Sequence, residues 1–298
     1  MCGIVGLFLK NPALSDSLGG HLRTMLIGMT ERGPDSSGFA VYRADQPAGF
    51  TKFTLYHSDP AFDWTGLAVA LDPAAEVVVR GSHAVLSAPA GAEDLLARLP
   101  SDVAVMAYGA EIEIYKDMGL PEAVADRFGL AEMAGSHGIG HTRMATESAV
   151  TTGHSHPFIA GPDICLVHNG SLSNYNRLRA WLVRRGMTFA TDNDSEVAAR
   201  YVAFRMGQGL PLRAALTAGL KDLDGFYTFA VGTRDGFAVL RDGIACKPAV
   251  LAETDDWVAM ASEFRSLAGL PGVDAAKVWE PAPGVVYSWT SDSMEQAA

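Results

Sequence analysis

The chain opens Met1-Cys2-Gly3-Ile4-Val5-Gly6-Leu7-Phe8-Leu9, and the reading of the fold turns on this stretch. Gly3 to Leu9 is a short apolar run closed by Lys10, Asn11 and Pro12, the pattern of a buried strand with a stop behind it. Cys2 then stands at the start of a predicted buried strand. Removal of Met1, general where the second residue is small, would give Cys2 a free α-amine beside its thiol. An α-amine titrates near ~8 and a thiol near ~8.5, so the amine can act, directly or through a water, as the local base that yields thiolate. Gly3 leaves room for a substrate to approach the backbone. Taken alone, Met-Cys-Gly reads better as a small buried residue at a strand end. A secretory leader is the other reading of an apolar start. No basic stretch precedes this one and no small-residue cleavage site follows, which argues against it.

Beyond this strand, Leu18, Leu22, Met25, Leu26 and Met29 repeat at helical spacing. Gly33-Pro34 breaks the helix, and Gly38 to Tyr42 reads as a second strand. Residues from about 44 to 135 offer strands at Glu76 to Val79, Val103 to Tyr108 and Ile112 to Lys116, and helices at Ala92 to Leu99 and Pro121 to Phe128. Strand signals resume at Gly138 to Thr142 and Ile164 to His168. Asn174 to Arg185 and Ser195 to Met206 are amphipathic helices, and Phe226 to Gly232, Phe237 to Arg241 and Trp257 to Ala261 are strands. The order lacks a strict βαβ rhythm, and the spacing near the C-terminus favours antiparallel pairing, so the class is α+β.

Composition narrows the function. Of 298 residues, 48% are hydrophobic and 19% charged, a globular balance able to bury a large core. The net charge of -11 disfavours nucleic acid and membrane surfaces as partners. No apolar run approaches the ~18 residues of a membrane span. Three cysteines, Cys2, Cys165 and Cys246, are no disulfide framework, which points to a reducing, cytoplasmic compartment. His137, His141, His154 and His156 raise the question of a metal, but no cysteine or carboxylate set joins them at ligand spacing, and none is expected.

The chemistry is carried by motifs in a fixed order: Cys2-Gly3-Ile4, then Arg32-Gly33-Pro34-Asp35-Ser36, Gly140-His141-Thr142-Arg143-Met144-Ala145-Thr146, His156-Pro157, His168-Asn169-Gly170 and Asp194-Ser195-Glu196. Singly each has a structural reading; Asp194, for example, could merely begin a helix. Together they resemble the class II glutamine amidotransferases, which are N-terminal nucleophile hydrolases, over residues 2–43 and about 137–290. Arg241-Asp242-Gly243 leading to Pro248, and Ala261-Ser262-Glu263, are weaker matches in the same order. The resemblance implies a four-layer αββα sandwich. It implies one amidotransferase domain over 1–298, with an addition at about 44–135 that the family usually lacks.

It also implies roles. Cys2 attacks the side-chain amide of glutamine, and Asn169 with the Gly170 N–H forms the oxyanion hole. Arg143 clamps the α-carboxylate through its planar fork, as a bidentate pair requires, and Asp194 pairs with the α-ammonium. Thr146 and His156 line the glutamine pocket. Arg32 sits in the loop packed over the nucleophile, with a structural role as open as a substrate-binding one. Met144 and Glu147 stand where many members have Trp and His, beside the clamp.

The segment Glu113 to Pro121, then Arg127-Phe128 and Gly138 to Ser148, resembles stand-alone amidotransferase subunits of glutamate-synthase-type systems, above all the amidotransferase-like subunit of N-methylglutamate synthase. That implies no cofactor in this chain, and partner chains carrying an FMN-binding synthase barrel, with iron–sulfur as an open addition, and a glutamate-synthase-like β-helix. No phosphate loop or dinucleotide fingerprint is visible, so the ammonia-consuming synthase is expected on a separate chain. A structural or regulatory subunit with its hydrolase activity unused is the alternative, and another N-terminal nucleophile hydrolase, such as an acylase, a third. Arg143 with Asp194 argues against the third, because that pair reads a free amino acid. The aromatic stretch Phe50, Phe53, Tyr56, Phe62 and Trp64 has the composition of an interface centre and is expected to dock on the synthase, while part of the added segment reads as an extra sheet edge and helix packed on the hydrolase core.

Overall fold

The computed structural model describes residues 2–89, 91–145 and 149–290, whose strands form three sheets. The first runs β15 (Lys277–Trp279), β13 (Val250–Glu253), β14 (Trp257–Ala261), β1 (Gly3–Leu9), β8 (His137–Arg143), β2 (Ser36–Tyr42) and β7 (Ile112–Met118). The second runs β16 (Val286–Thr290), β12 (Gly236–Arg241), β11 (Gly225–Thr233), β10 (Ile164–Leu172) and β9 (Phe158–Gly161). All pairings in both are antiparallel.

The apolar run of β1 is explained by its cover on both faces. Val5 and Leu7 point toward α1 (Leu18–Ile27) and α4 (Pro121–Phe128), joining Leu22, Met25, Leu26 and Phe128 in one cluster. Ile4 and Phe8 point the other way and meet Cys165, Val167, Ala230 and Phe237 of the second sheet. The outer face of that sheet packs on α5 (Tyr175–Val183), α6 (Asp194–Gly207) and α7 (Leu212–Asp222) through Leu182, Val197, Tyr201 and Leu216. This is the αββα sandwich that the sequence implied.

The region expected at 44–135 divides in two. Residues 112–132 belong to the sandwich, because β7 pairs along the length of β2 and α4 covers the same face as α1. The separate body is a third sheet, β4 (Glu76–Arg80), β5 (His83–Ala88), β3 (Thr51–Tyr56) and β6 (Ala104–Gly109), with α2 (Trp64–Leu71) and α3 (Ala92–Arg98) packed on it. Helix α2 and strands β3 and β5 escaped the sequence reading, the strands because their alternation is broken by polar residues that are themselves buried: Lys52, Thr54, His83 and Ser87.

The aromatic stretch is not laid out as a docking surface. Phe53 and Trp64 are 1% and 5% exposed inside the core of the third sheet. Phe62 packs on the Trp64 ring at 4.7 Å, and Tyr56 leans on His83 at 5.3 Å. These residues give a small sheet its own core, which a sheet of this size needs to be stable.

A buried ion network fastens the third sheet to the sandwich. Lys52 of β3 donates to Glu113 of β7 at 3.1 Å and also reaches Asp45. Tyr115 donates to the other Glu113 oxygen at 2.7 Å. On the far side, Asp163 in the turn between β9 and β10 accepts from the backbone N–H groups of Ala110, Glu111 and Ile112, where the chain leaves the third sheet.

Candidate active site

A cavity of about 680 Å³ opens at the end of β1, and its wall includes Cys2, Arg143, His156, Asn169, Gly170 and Asp194. Residues drawn from nearly the whole chain meet there because three strands end together. The register that pairs Gly3 with Thr142 sets Cys2 beside Arg143, the last residue of β8. A side chain at Gly3 would press on Met29 and Thr142 at 2.8 Å, so glycine is what lets β1 run this close. The Cys2 end is held from three sides. Ile4 N donates to Ser262 Oγ at 3.0 Å, Arg32 Nε donates to the Cys2 carbonyl at 2.9 Å, and Arg32 Nη1 pairs with Glu263 at 2.7 Å. Arg32 therefore sits behind Cys2 and is absent from the cavity wall, a positioning residue where a substrate contact was among the expectations.

Asn169 and Gly170 lie where β10 loses a neighbour. Strand β9 pairs with β10 only through Leu166, so beyond it that edge of β10 is open. The His168 carbonyl accepts from His141 Nε2 at 3.0 Å and Leu172 N donates to Asp194 Oδ2 at 2.9 Å, both toward the open edge. Alternate residues of a strand present their N–H and C=O to one edge, so the Gly170 N–H faces that way too, between them. Gly170 has φ +151°, and a Cβ there would run into the Phe226 carbonyl and stand 2.7 Å from Tyr227 Cα. Asn169 is 2% exposed, and its Nδ2 has no partner among the described residues. A buried donor left open in this way is an exception that calls for a ligand or a catalytic role.

Asp194 opens α6, where the Asn193 side chain caps the Ser195 N–H at 2.8 Å. The Glu196 carboxylate accepts from Ala190 N, Thr191 N and Thr191 Oγ1 and so fixes the loop that leads in. Ser195 is hydrogen-bonded to His168 Nδ1 at 2.9 Å, tying α6 to β10. Of the motif Asp194-Ser195-Glu196, only the first two reach the cavity; the third is structural.

Thr146, expected in the pocket, and Glu147 lie outside the described residues. Met144 is on the wall and 39% exposed. The four clustered histidines do not meet at one point. His137 stacks on Tyr42 at 4.1 Å, His154 pairs with Asp192 at 2.8 Å, and His141 stacks on His156 at 3.9 Å.

Three comparisons with known proteins bear on this arrangement. The family described as "Glutamine amidotransferase domain" matches residues 141–269. A glutamine amidotransferase-like protein, GlxB, of Rhizobium meliloti is 53% identical over 296 residues, 97% of this chain and 98% of that one. The chain belongs to the class II glutamine amidotransferases. A putative glutamine amidotransferase of Methanothermobacter thermautotrophicus is 35% identical over 96% of this chain and 98% of its own. Among solved structures, the glutamine phosphoribosylpyrophosphate amidotransferase of B. subtilis superposes with a TM-score of 0.65 at 18% identity, which shows the shared fold. This chain covers 98% of its own length there but 48% of that longer chain.

In this amidotransferase pocket the electrostatics are set by burial. Burial pushes the Cys2 thiol up, against a backbone hydrogen bond from Met144 and the charges of Arg143 and Lys247, which pull it down. Burial also keeps His141, His156 and His168 neutral, His141 down at about 3. Lys116 of β7 is pushed down to about 7 by burial, and it donates to the Ser155 and Pro157 carbonyls at 2.8 and 3.1 Å, anchoring the loop that carries His156. Sequence reasoning gave no role to His168, Tyr175, Phe226 or Lys247, all on the wall. His168 was within reach as part of His168-Asn169-Gly170. Lys247, half-buried with its ammonium 5.0 Å from the Phe226 ring, stood one residue before the matched Pro248.

Proposed function

We propose that this chain hydrolyses glutamine to glutamate and ammonia through Cys2, exposed by removal of Met1. The observation that carries the reading is the meeting, on one cavity, of a cysteine, a guanidinium, a carboxylate and the unpartnered Asn169 amide. Free glutamine presents a carboxylate, an ammonium and an amide, and these four groups answer all three. Arg143 holds the α-carboxylate and Asp194 the α-ammonium, which brings the amide carbon to Cys2. The thiolate adds to that carbon. Asn169 Nδ2 and the Gly170 N–H receive the developing oxyanion, and donors preset in this way supply about 3–4 kcal/mol each to the transition state. Ammonia leaves, a thioester remains, and water releases glutamate.

Burial of the Cys2 thiol makes a nearby base necessary, and the α-amine of a processed N-terminus is the one within the same residue. Intact-mass measurement tests that requirement directly. The reaction itself is tested by ammonia release from L-glutamine, and by labelling with a glutamine-mimicking electrophile in the presence and absence of glutamine. Failure to label Cys2, or labelling that glutamine does not slow, sinks the assignment.

The finer reading is that the ammonia feeds a synthase on partner chains. Those partners would be an FMN-binding barrel, with iron–sulfur centres an open addition, and a β-helix subunit, as in N-methylglutamate synthase or a related glutamate-synthase-type complex. What supports it is the wording of residues 113–148. A reducing cytoplasm suits the three free cysteines, and no described helix is long and apolar enough to cross a membrane. Transfer of label from the glutamine amide into the synthase product by the assembled complex tests this. The raised Cys2 thiol favours one alternative, a subunit of that complex whose hydrolase is silent, and label found neither in the product nor in free ammonia would speak for it.

A further inference from the structure

We propose that the third sheet is a self-association surface, in which β4 pairs antiparallel with β4 of a second copy about a two-fold axis through Val78. Strand β4 is the outermost strand of its sheet, and among the described residues no strand pairs with its other side. Such an edge presents unpaired backbone N–H and C=O groups, and it is usually blunted by lysine, proline, a bulge or brevity. By contrast β15, an edge of the first sheet, is three residues long and carries Lys277. Glu76-Val77-Val78-Val79-Arg80 has no lysine, proline or bulge, its two charges stand only at its ends, and its five residues pair with β5 without a register shift. Val78 and Val79 are 54% and 53% exposed.

The sequence of the strand names its partner. Turned about Val78, an antiparallel copy sets Glu76 opposite Arg80 at both ends and Val77 opposite Val79 on either side of the centre. Opposite charges thus face each other twice, and β-branched residues fill the middle, the cross-strand pairs that stabilise an antiparallel ladder. Any shift of two residues breaks this match. The register works whichever alternate set of backbone groups points outward, because residues brought face to face share the same parity. Val77 packs on the core under α2, so strand parity sets Val79 on that side. The contact is isologous and closes on itself, joining two four-stranded sheets into one.

The test is sedimentation of the full chain over about a hundredfold range of concentration. A reversible monomer–dimer equilibrium is expected, because a short strand pair makes a small interface. Val78→Lys sets two like charges on the axis and should weaken the dimer at least about tenfold. Glu76→Arg should weaken it as well, by opposing arginines at both ends. Glu76→Arg combined with Arg80→Glu restores opposite signs in the same register and should bring the dimer back. Circular dichroism checks that each variant is folded, and should the combined variant fail to fold, Val78→Lys still decides. A chain that stays monomeric throughout, a dimer indifferent to Val78→Lys, or a folded combined variant that does not recover would each overturn the proposal.

Discussion

The two-sheet sandwich and the third sheet bury polar groups in opposite ways. In the sandwich they gather at the ends of β1, β8 and β10 around open space, and several stay unsatisfied: Asn169 Nδ2, His168 Nε2 and both ring nitrogens of His156. In the third sheet the buried charge of Lys52 is closed off by Glu113 and Asp45, Glu113 is held again by Tyr115, and the one described buried side-chain atom left without a partner, His83 Nε2, lies beside the Phe128 ring and away from the cavity. A satisfied network fixes one structure, whereas buried donors without partners imply something that comes and goes. Chemistry belongs to the first region. The second is scaffold, open only at its edge.

The sharpest way to break this contrast is Cys2→Ala. Ammonia release from glutamine should fall to background and labelling by the glutamine mimic should vanish, because no other described cysteine lines the cavity. Residual covalent labelling would mean that the nucleophile lies elsewhere. Asn169→Ala should come next, with kcat lowered about 10²–10³-fold and KM for glutamine little changed, as expected when one preset oxyanion donor is lost. An equal loss carried by KM would instead make Asn169 a binding residue. Arg143→Lys should show that opposite pattern, a raised KM, since a point charge cannot replace the bidentate fork.

On the scaffold side, Lys52→Met removes the nearer cation from Glu113, 3% exposed, and leaves it only Arg43 Nη1 at 3.7 Å. Breaking a buried pair from one side costs about 3–5 kcal/mol, whereas replacing both members by apolar groups is often near neutral. Urea denaturation should therefore find Lys52→Met destabilised by about that much, and Lys52→Met with Glu113→Leu largely recovered. Glutamine turnover per folded molecule should hold in both. A fall in turnover would tie the third sheet to the site and erase the division.

How much of this was legible in the sequence follows the same line. The sandwich strands were readable because burial on both faces forces continuous apolar runs, as in β1 and β14. The site was readable because its chemistry confines residue types in a fixed order, and Cys2, Arg143, Asn169, Gly170, Asp194 and His156 share one wall. Arg32 was readable as a loop residue but not as the partner of the Cys2 carbonyl, since nothing in its neighbours specifies a contact across thirty positions of chain. Half of the third sheet was hidden: β4, β6 and α3 were legible, and β3, β5 and α2 were not. Lys52 and His83 sit at buried strand positions where alternation predicts apolar side chains. Its aromatics looked like an interface because composition alone cannot separate a small core from a docking surface.

The smallest expected effect weighs the two regions by their histidines. Burial lowers His83 of the third sheet to about 3, and in the sandwich His137 to about 4 and His141 to about 3, with His156 and His168 lowered as well. Each is neutral in the folded chain at a pH where the unfolded chain, titrating near ~6.5, already binds a proton. Their contribution to stability is therefore complete above about pH 6.5 and is lost as the pH falls toward the folded values, each histidine adding a slope of about 1.4 kcal/mol per pH unit in that window. Between pH 7 and 5 one such group accounts for about 2 kcal/mol. His83 packs between Phe128 and Tyr115 at 4.7 and 5.9 Å, so His83→Phe keeps an aromatic ring in the same surroundings. Urea denaturation at the two pH values should find the pH-dependent loss of stability smaller by about that 2 kcal/mol in the variant, with most of the loss remaining. The remainder belongs to the histidines of the sandwich, four against one. A variant whose acid sensitivity fell nearly to zero would move that charge burden into the third sheet and invert the comparison.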